Sequence, residues 1–247
     1  MNIKNLSFSF DKHAFTSLHA DAPRFTQRLS KGLGKPFFNN LSVSFIPHTI
    51  NFIQGDNGIG KSTLFTILQN NHSTKASVDA TIELDGIVYK TRNNALPTSF
   101  TQQVHAVQQQ YDTMLANQFT FLENLQLANI SRYPSLHTLP TARLLDIVNS
   151  LSIPMNIPVY NLSGGQRQLL AILMALQKST RLLLLDEPTA TLDKKNAHMI
   201  MHYLFKLAEQ LHVTMLLICH DKELVNEYKD GGRFVMEKSA DGTRYFI

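Results

Sequence analysis

The sequence has little of several features that would fix a compartment or a class of partner. Its single cysteine, Cys219, excludes an internal disulfide and fits a reducing compartment. No stretch reaches the roughly 18 apolar residues that a membrane-spanning helix needs. The opening MNIKNLSFSF alternates like a strand and lacks the apolar block of a signal peptide. The basic excess, 23 residues against 19 acidic, is too small to indicate nucleic-acid binding. We therefore expect a cytosolic protein unless a partner draws it elsewhere.

What the sequence does have is a clear succession of strand and helix patterns. Its 247 residues, 43% of them hydrophobic, can bury one large core. Alternating or apolar segments predict strands at 3–10, 41–46, 50–54, 78–89 (with a hairpin turn at Asp85-Gly86), 182–186 and 215–219. Helical periodicity predicts helices at 121–130, 141–151, 164–178 and 194–211. The last helix joins two apolar strands, and this order predicts a parallel sheet.

A glycine-rich segment follows the predicted strand 50–54 and precedes a helical run. It has the spacing of a P-loop in the strand–loop–helix context that a P-loop needs. Glycines let backbone N–H groups curl around a polyphosphate, Lys61 reaches the β- and γ-phosphates, and Ser62 binds Mg²⁺. The residues expected to surround the nucleotide are Gly55, Asp56, Asn57, Gly58, Ile59, Gly60, Lys61, Ser62 and Thr63.

Two acids end the apolar run 182–185. The carboxyl ends of parallel strands form the edge where such sheets bind ligands, so we expect Asp186 to face the Mg²⁺ shell. Glu187 follows directly and points away from Asp186, where it can hold an attacking water as a general base. The ordinary alternative is a pair of helix-capping acids before Pro188.

The segment LSGGQRQ, residues 162–168, contains a glycine pair that a helix does not favour. Each glycine in a helix interior costs roughly 1 kcal/mol relative to alanine. Something other than local stability must therefore explain Gly164 and Gly165.

These motifs, with Ala190-Thr191-Leu192-Asp193 and Cys219-His220-Asp221 after them, resemble in order and spacing the nucleotide-binding subunits of ABC transporters. The resemblance covers the chain except residues 11–36. It implies an α/β P-loop NTPase fold with a RecA-like core, an antiparallel β subdomain and an ABC-type helical subdomain. One ATPase domain is expected over residues 1–247, with its core at 1–109 and 179–247 and the helical subdomain at 110–178.

The resemblance also assigns roles to residues outside the P-loop. In that family the LSGGQ segment binds the γ-phosphate of ATP held by the other subunit, which would explain the glycine pair. His220 matches the switch histidine that contacts the γ-phosphate. Asp193 matches the aspartate that couples the two sites, although Ala-Thr-Leu before it departs from the commoner Ser-Ala-Leu. The residues of the LSGGQ contact are Ser163, Gly164, Gly165 and Gln166.

Two family positions allow more than one assignment. The glutamine that senses Mg²⁺ and the membrane partner falls best on Gln109, with Gln110 next and Gln108 adjacent. The aromatic residue that stacks on adenine falls on Phe10. Its rivals are Phe8, Phe25, Phe37 and Phe38.

The resemblance implies a subunit that binds and hydrolyses ATP with Mg²⁺, using Glu187, His220, Gln109 and Lys61. It would act as a homodimer on the cytoplasmic face of the membrane, beneath separate transmembrane permease subunits and with a solute-binding protein, and would bind no nucleic acid. Residues 109–127 and 173–175 look like the branch paired with tryptophan/tyrosine-type small-solute permeases. The alternative is a soluble ABC-type assembly ATPase with no part in transport.

The stretch 11–36 has no counterpart in the family pattern. It carries five basic and two acidic residues, and Phe25 and Leu29 would form a small apolar stripe if it is helical. A solvated surface insertion is one interpretation. The others are a contact with the permease or with anionic headgroups, and a contribution to the adenine pocket.

Overall fold

The computed structural model describes residues 1–9, 36–73, 76–128, 155–176 and 179–247. They form two compact units. The antiparallel unit comprises Met1–Phe45, Gln54–Thr101 and Phe234–Ile247, and the parallel-sheet unit comprises Ile46–Ile53 and Gln102–Arg233. Within the described residues, no helix is both long enough and apolar enough to cross a membrane.

The elements follow one another in the order that the sequence predicts. The strands are β1 (Asn2–Ser9), β2 (Phe38–Ser44), β3 (Ile50–Gln54), β4 (Ser77–Leu84), β5 (Ile87–Lys90), β6 (Val104–Val107), β7 (Leu182–Asp186), β8 (Thr214–Ile218), β9 (Gly232–Lys238) and β10 (Arg244–Phe246). The helices are α1 (Lys61–Leu68), α2 (Thr98–Thr101), α3 (Phe121–Ala128), α4 (Gly164–Ala175), α5 (Lys194–Leu211) and α6 (Lys222–Glu227), with 3-10 turns at Tyr111–Met114 and Val159–Asn161.

The antiparallel unit is built on a four-stranded sheet with the order β2-β1-β4-β5. The predicted hairpin between β4 and β5 is confirmed. Its turn residues Asp85 and Gly86 have φ of 49° and 79°, the positive values that match the twist of a two-residue hairpin. A second hairpin, β9–β10, packs through Phe234 and Phe246 against Phe45, which follows β2.

The parallel-sheet unit places four parallel strands in the order β6-β7-β8-β3. Residues 182–185 of β7 and all of β8 are buried, as continuous apolar strands are when both faces of a sheet are covered. The long helix α5 buries one apolar stripe, which includes Ile200, Leu204 and Leu207. The core of this unit therefore lies between the sheet and its helices.

Most predicted boundaries agree with the structure. β3, β7 and α5 match their predictions, β8 starts and ends one residue earlier, and α4 ends at Ala175 rather than 178. β2 begins at Phe38, three residues before its predicted start. The prediction missed these residues because a register irregularity between Leu6 and Phe8 and a positive φ at Asn40 break the alternation there. The predicted helix 141–151 and the stretch 11–35 lie outside the described residues.

Candidate functional site

The P-loop connects β3 to α1 within a few residues. Gly55, Gly58 and Gly60 have φ of 141°, 74° and 125°, a backbone region that side chains with a Cβ rarely adopt. The Lys61 side chain folds back over the loop, where Nζ donates to the carbonyl oxygens of Gly55 at 2.7 Å and Asp56 at 3.0 Å. The loop therefore has the curled backbone that the sequence predicts, with its lysine across it.

The start of α1 suits an anion. Among the described side chains none caps this helix at Gly60, and its first turn, Lys-Ser-Thr-Leu, contains no acid. N–H groups of a helix's first turn lack intrahelical acceptors, and the helix dipole makes this end positive. A Cβ on Gly58 would meet nothing within 4 Å, so one side of the loop is open. Open space, donors and a lysine fit a polyphosphate.

The other predicted groups lie at one edge of the parallel sheet. Ile218, the last residue of β8, pairs with Ile53 of β3 and with Asp186 of β7. All three strands therefore end at the same edge. β6 ends there too, since Val107 pairs with Leu185. The glutamines 108–110 follow β6 directly and all three are exposed, so the fold does not choose among them.

The structure brings Glu187 and His220 into contact at this edge. Oε1 of the glutamate lies 3.2 Å from Nε2 of the histidine. The Glu187 backbone is fixed on both sides. Its N–H donates to the Ile218 carbonyl at 3.1 Å, and its own carbonyl accepts from the Ala190 N–H at 3.2 Å. Its φ of 51° is uncommon for a residue with a side chain, and such conformations concentrate at functional sites.

A cleft of about 390 Å³ opens beside this pair, and Glu187, His220 and Cys219 contribute to its lining. Desolvation raises the pKa of the Cys219 thiol, which is buried to 4% exposure. A buried thiol with a raised pKa is unreactive and packs as a small apolar group. Cys219 therefore contributes shape to the cleft, whereas the glutamate and the histidine contribute its chemistry.

The signature segment begins α4 with a reciprocal cap. Ser163 Oγ accepts from the Gln166 N–H at 3.3 Å, and Gln166 Oε1 accepts from the Ser163 N–H at 2.9 Å. This capping box stabilises the start of the helix. Two residues predicted to touch nucleotide are thus engaged with each other.

The two glycines of the segment differ in their surroundings. A Cβ on Gly165 would lie only 3.1 Å from Asn196 Oδ1, whereas one on Gly164 would meet Leu192 at 3.8 Å and the Tyr111 hydroxyl at 4.0 Å, which are ordinary contacts. The Asp193 carboxylate holds Asn196 in place, since it accepts from the Asn196 backbone N–H at 2.8 Å and from Asn196 Nδ2 at 2.7 Å. The crowding at Gly165 comes from Asn196 on α5, so a tertiary contact and not local stability explains this glycine. The contacts of Gly164 would admit a Cβ, and the role of both glycines at a nucleotide stays a prediction.

Contacts around α4 include residues that no sequence pattern singles out. The Tyr111 hydroxyl donates to the Gly164 carbonyl at 3.2 Å, and Arg167 lies 3.4 Å from Asp112. These partners are more than 50 residues apart, so no local pattern reveals them. The one available signal was that Tyr111 directly follows the three glutamines.

The candidates for an adenine-stacking aromatic separate by burial. Phe10 and Phe25 lie outside the described residues. Phe8 and Phe38 are exposed by only 2% and 0% and pack in the core. Phe37 is partly buried and carries the guanidinium of Arg244 at 3.5 Å from its ring centroid. Of the described candidates, Phe37 is the one that keeps an accessible part beside the P-loop.

Comparison with known proteins identifies the family. The family described as ABC transporter matches residues 38–190, more than half of the chain. The lipoprotein-releasing system ATP-binding protein LolD of Treponema pallidum (strain Nichols) is 31% identical over 188 residues, 74% of this chain and 81% of that protein. The tyrosine transport ATP-binding protein of Clostridioides difficile (strain R20291) is 30% identical over 227 residues, 85% of this chain and 86% of that protein.

Solved structures agree at the level of the fold. The structure of cbiO1 from Clostridium perfringens, part of the ABC transporter complex cbiONQ, has a TM-score of 0.68 at 22% identity, covering 99% of this chain and 87% of that chain. A dimeric ATP-binding cassette, MJ0796, in a post-hydrolysis state with ADP and Pi has a TM-score of 0.62 at 23% identity, covering 96% and 93%. The predicted fold class and the predicted ATP-hydrolysing subunit of a transporter are confirmed. The chain belongs to the ABC transporter family, as an ATP-binding subunit.

Proposed function

We propose that the P-loop binds the phosphates of ATP and that this binding powers solute transport through separate membrane subunits. The observation that carries the proposal is the P-loop itself, with three glycines at positive φ, an uncapped helix start and Lys61 lying across the loop. Lys61 Nζ, which now bonds to two loop carbonyls, exchanges them for phosphate oxygens when ATP arrives. A charge-assisted bond to phosphate is stronger than a bond to a neutral carbonyl, which favours that exchange.

Mg²⁺ belongs to the same chemistry. Mg²⁺ commonly uses one or two protein oxygens together with substrate phosphates rather than a cage of protein ligands. This fits the chain, because the described residues contain no cluster of three His, Cys, Asp or Glu that could hold a metal by itself. The groups proposed to hold it are those that the family resemblance implies: Ser62, exposed at the start of α1, Asp186, partly buried at the end of β7, and Gln109, exposed after β6. The ion would neutralise charge that develops on the phosphate oxygens.

Glu187 is proposed as the general base for the attacking water, with His220 as its partner and a contact to the γ-phosphate. The two side chains lie 3.2 Å apart and remain partly exposed, with side-chain exposures of 29% and 42%. The glutamate therefore keeps an accessible carboxylate while the histidine orients it. General-base help of this kind contributes typically 10²- to 10⁴-fold to a rate.

The site is proposed to be completed by a second copy. Gly164 is partly exposed, which leaves the first turn of α4 accessible, so the γ-phosphate of ATP on another copy can approach the backbone there. Asp193 and the loop before it lie next to this turn through Asn196, which suits a role in coupling the two sites. We therefore propose a homodimer with two ATP molecules between the copies.

The proposed setting is the cytoplasmic face of the cell membrane, beneath permease subunits and with a solute-binding protein as a further partner. The relatives support transport, since their names include lipoprotein release, tyrosine transport and phosphonate import. A small solute is favoured because the tyrosine transport relative matches over 85% of the chain. The proposal that no nucleic acid binds rests on the small net charge of +4.

The test compares Lys61→Ala with a matched lysine in the same unit. Lys4→Ala is the control, since Lys4 forms a surface ion pair with Glu83 at 3.8 Å and such pairs contribute little. We expect Lys61→Ala to lose ATP binding and Mg²⁺-dependent hydrolysis and Lys4→Ala to keep both. Affinity purification of the wild-type chain from cells should recover a membrane permease. Recovery of soluble partners alone would favour the assembly ATPase instead.

A further inference from the structure

The C-terminal hairpin of the antiparallel unit contacts the P-loop at two points. At the first residue, a Cβ on Gly55 would lie only 2.5 Å from the carbonyl oxygen of Met236 on β9. At the fifth, Nε of Arg244 on β10 donates to the carbonyl oxygen of Ile59 at 2.6 Å. The hairpin β9–β10 therefore supports the phosphate loop from the side, although it lies more than 170 residues away in sequence.

Arg244 makes two further contacts at the same place. Its Nη1 donates to the carbonyl oxygen of Phe37 at 2.7 Å, and its guanidinium lies 3.5 Å from the centroid of the Phe37 ring. That ring in turn reaches within 2.8 Å of the position a Cβ would take on Gly60. Burial lowers the pKa of Arg244 through desolvation, and the same partly dry surroundings strengthen its hydrogen bonds.

The geometry of the peptide bond lets the contact at the Ile59 carbonyl orient the N–H donor of Gly60. Because the peptide unit is planar and trans, the carbonyl of Ile59 and the N–H of Gly60 point in opposite directions. Holding the carbonyl on the hairpin side therefore aims the N–H to the other side. Gly60 is the N-cap residue of α1, so its N–H joins the donors at the uncapped helix start. A charged donor on the carbonyl also polarises the peptide and makes that N–H a better donor.

We propose that Arg244 is a positioning residue for phosphate binding, which fixes and polarises the Ile59–Gly60 peptide from the C-terminal hairpin. This inference rests on the proposed role of the P-loop. Arg244 then affects binding of the phosphates and not binding of the nucleobase, even though its guanidinium stacks on Phe37. Chemistry at Glu187 should be unaffected once nucleotide is bound.

The experiment measures dissociation constants for Mg²⁺-ATP, Mg²⁺-GTP and inorganic pyrophosphate, together with kcat and KM for ATP. Arg244→Gln loses the charge-assisted bonds. We expect all three dissociation constants and the KM to rise by a common factor of about tenfold while kcat stays within about twofold. Arg244→Lys keeps the charge and a single donor nitrogen but loses the planar fork, so its affinities should lie between those of Arg244→Gln and wild type. Arg233→Gln is the control, because Arg233 is also on the hairpin but bonds to Val225 and Asn226.

Other outcomes decide against the proposal. Weaker ATP binding with unchanged pyrophosphate binding would mean that Arg244 acts on the nucleobase and not on the phosphates. Unchanged affinity for all three ligands would overturn it while leaving the P-loop function intact, provided that Lys61→Ala still abolishes binding. Wild-type binding in Lys61→Ala would instead refute the P-loop function itself. If Arg244→Gln unfolds more easily than wild type, the test is made on Arg244→Lys instead. The NMR chemical shift of the Gly60 amide is then measured in the nucleotide-free variant, together with its ligand affinities. An amide shift identical to wild type in Arg244→Lys, with unchanged affinity, would also refute it.

Discussion

Replacing Gly164 with alanine tests whether this glycine is needed for the fold of the chain itself or for the contact with ATP on a second copy. The added Cβ would lie 3.8 Å from Leu192 Cδ2 and 4.0 Å from the Tyr111 hydroxyl, both ordinary van der Waals distances. Gly164 is the first residue of α4 and its φ is not positive, so alanine fits the backbone. The isolated chain therefore has no steric reason to reject the substitution.

The expected stability change follows from the unfolded state. Replacing glycine by alanine at a compatible position typically stabilises by about 0.4–1 kcal/mol, because the unfolded chain has less freedom to lose. A methyl group at the start of α4 would, however, hold a γ-phosphate away from the backbone N–H groups. The loss of one charge-assisted hydrogen bond of about 1.5–3 kcal/mol corresponds to at least about a tenfold loss of activity. Stability and activity should therefore change in opposite directions.

The assay uses urea unfolding, ATP binding to the monomer, dimer formation with ATP and steady-state hydrolysis. We expect Gly164→Ala to unfold no more easily than wild type and to bind ATP as a monomer normally, but to dimerise and hydrolyse poorly. Gly165→Ala is the contrasting variant, since its Cβ would lie 3.1 Å from Asn196 Oδ1 and its stability should fall. Full hydrolysis by Gly164→Ala would refute the approach of a nucleotide at this glycine. A large loss of unfolding free energy in Gly164→Ala would show that the added methyl group does not fit beside Leu192 and Tyr111.

Three further changes test the site and the fold around it. Glu187→Gln should keep ATP binding and trap a closed dimer, with turnover lowered by at least about 10²-fold; turnover like that of wild type would remove Glu187 from the role of base. Adding Asn196→Ala to Gly165→Ala should restore part of the lost unfolding free energy, since it removes the crowded amide; strictly additive losses would mean that the 3.1 Å contact is not the cause. Burial lowers the pKa of His105 from 6.5, so below about pH 6.5 the unfolded chain takes up a proton before the folded chain does and stability falls. Urea unfolding at about pH 7.5 and 5.5 should show a smaller loss for His105→Gln than for wild type, and equal losses would contradict the assignment.

The sequence alone determined the parts of this protein that depend on short stretches of chain. Strand β7 could be predicted to the residue because it is a continuous apolar run that ends in an acid, and helix α5 because its buried face repeats with the helical period. The chemistry of the P-loop follows in the same way from the spacing between its glycines and Lys61. The prediction that Asp186 lies at the carboxyl edge of the sheet required only that β7 is parallel to its neighbours.

Tertiary structure decided what depends on residues far apart in the chain. Whether Gly165 is crowded depends on Asn196, 31 residues later, and the Ile59 carbonyl meets Arg244 across 185 residues. No periodic pattern encodes such contacts, because they arise only when separately formed elements pack at van der Waals distance. The bulge that shifts β2 belongs to the same class, since it is a property of the pairing of β1 with β2 and not of either strand. Sequence thus set which groups are present, and packing set how the two glycines and the Ile59–Gly60 peptide are held.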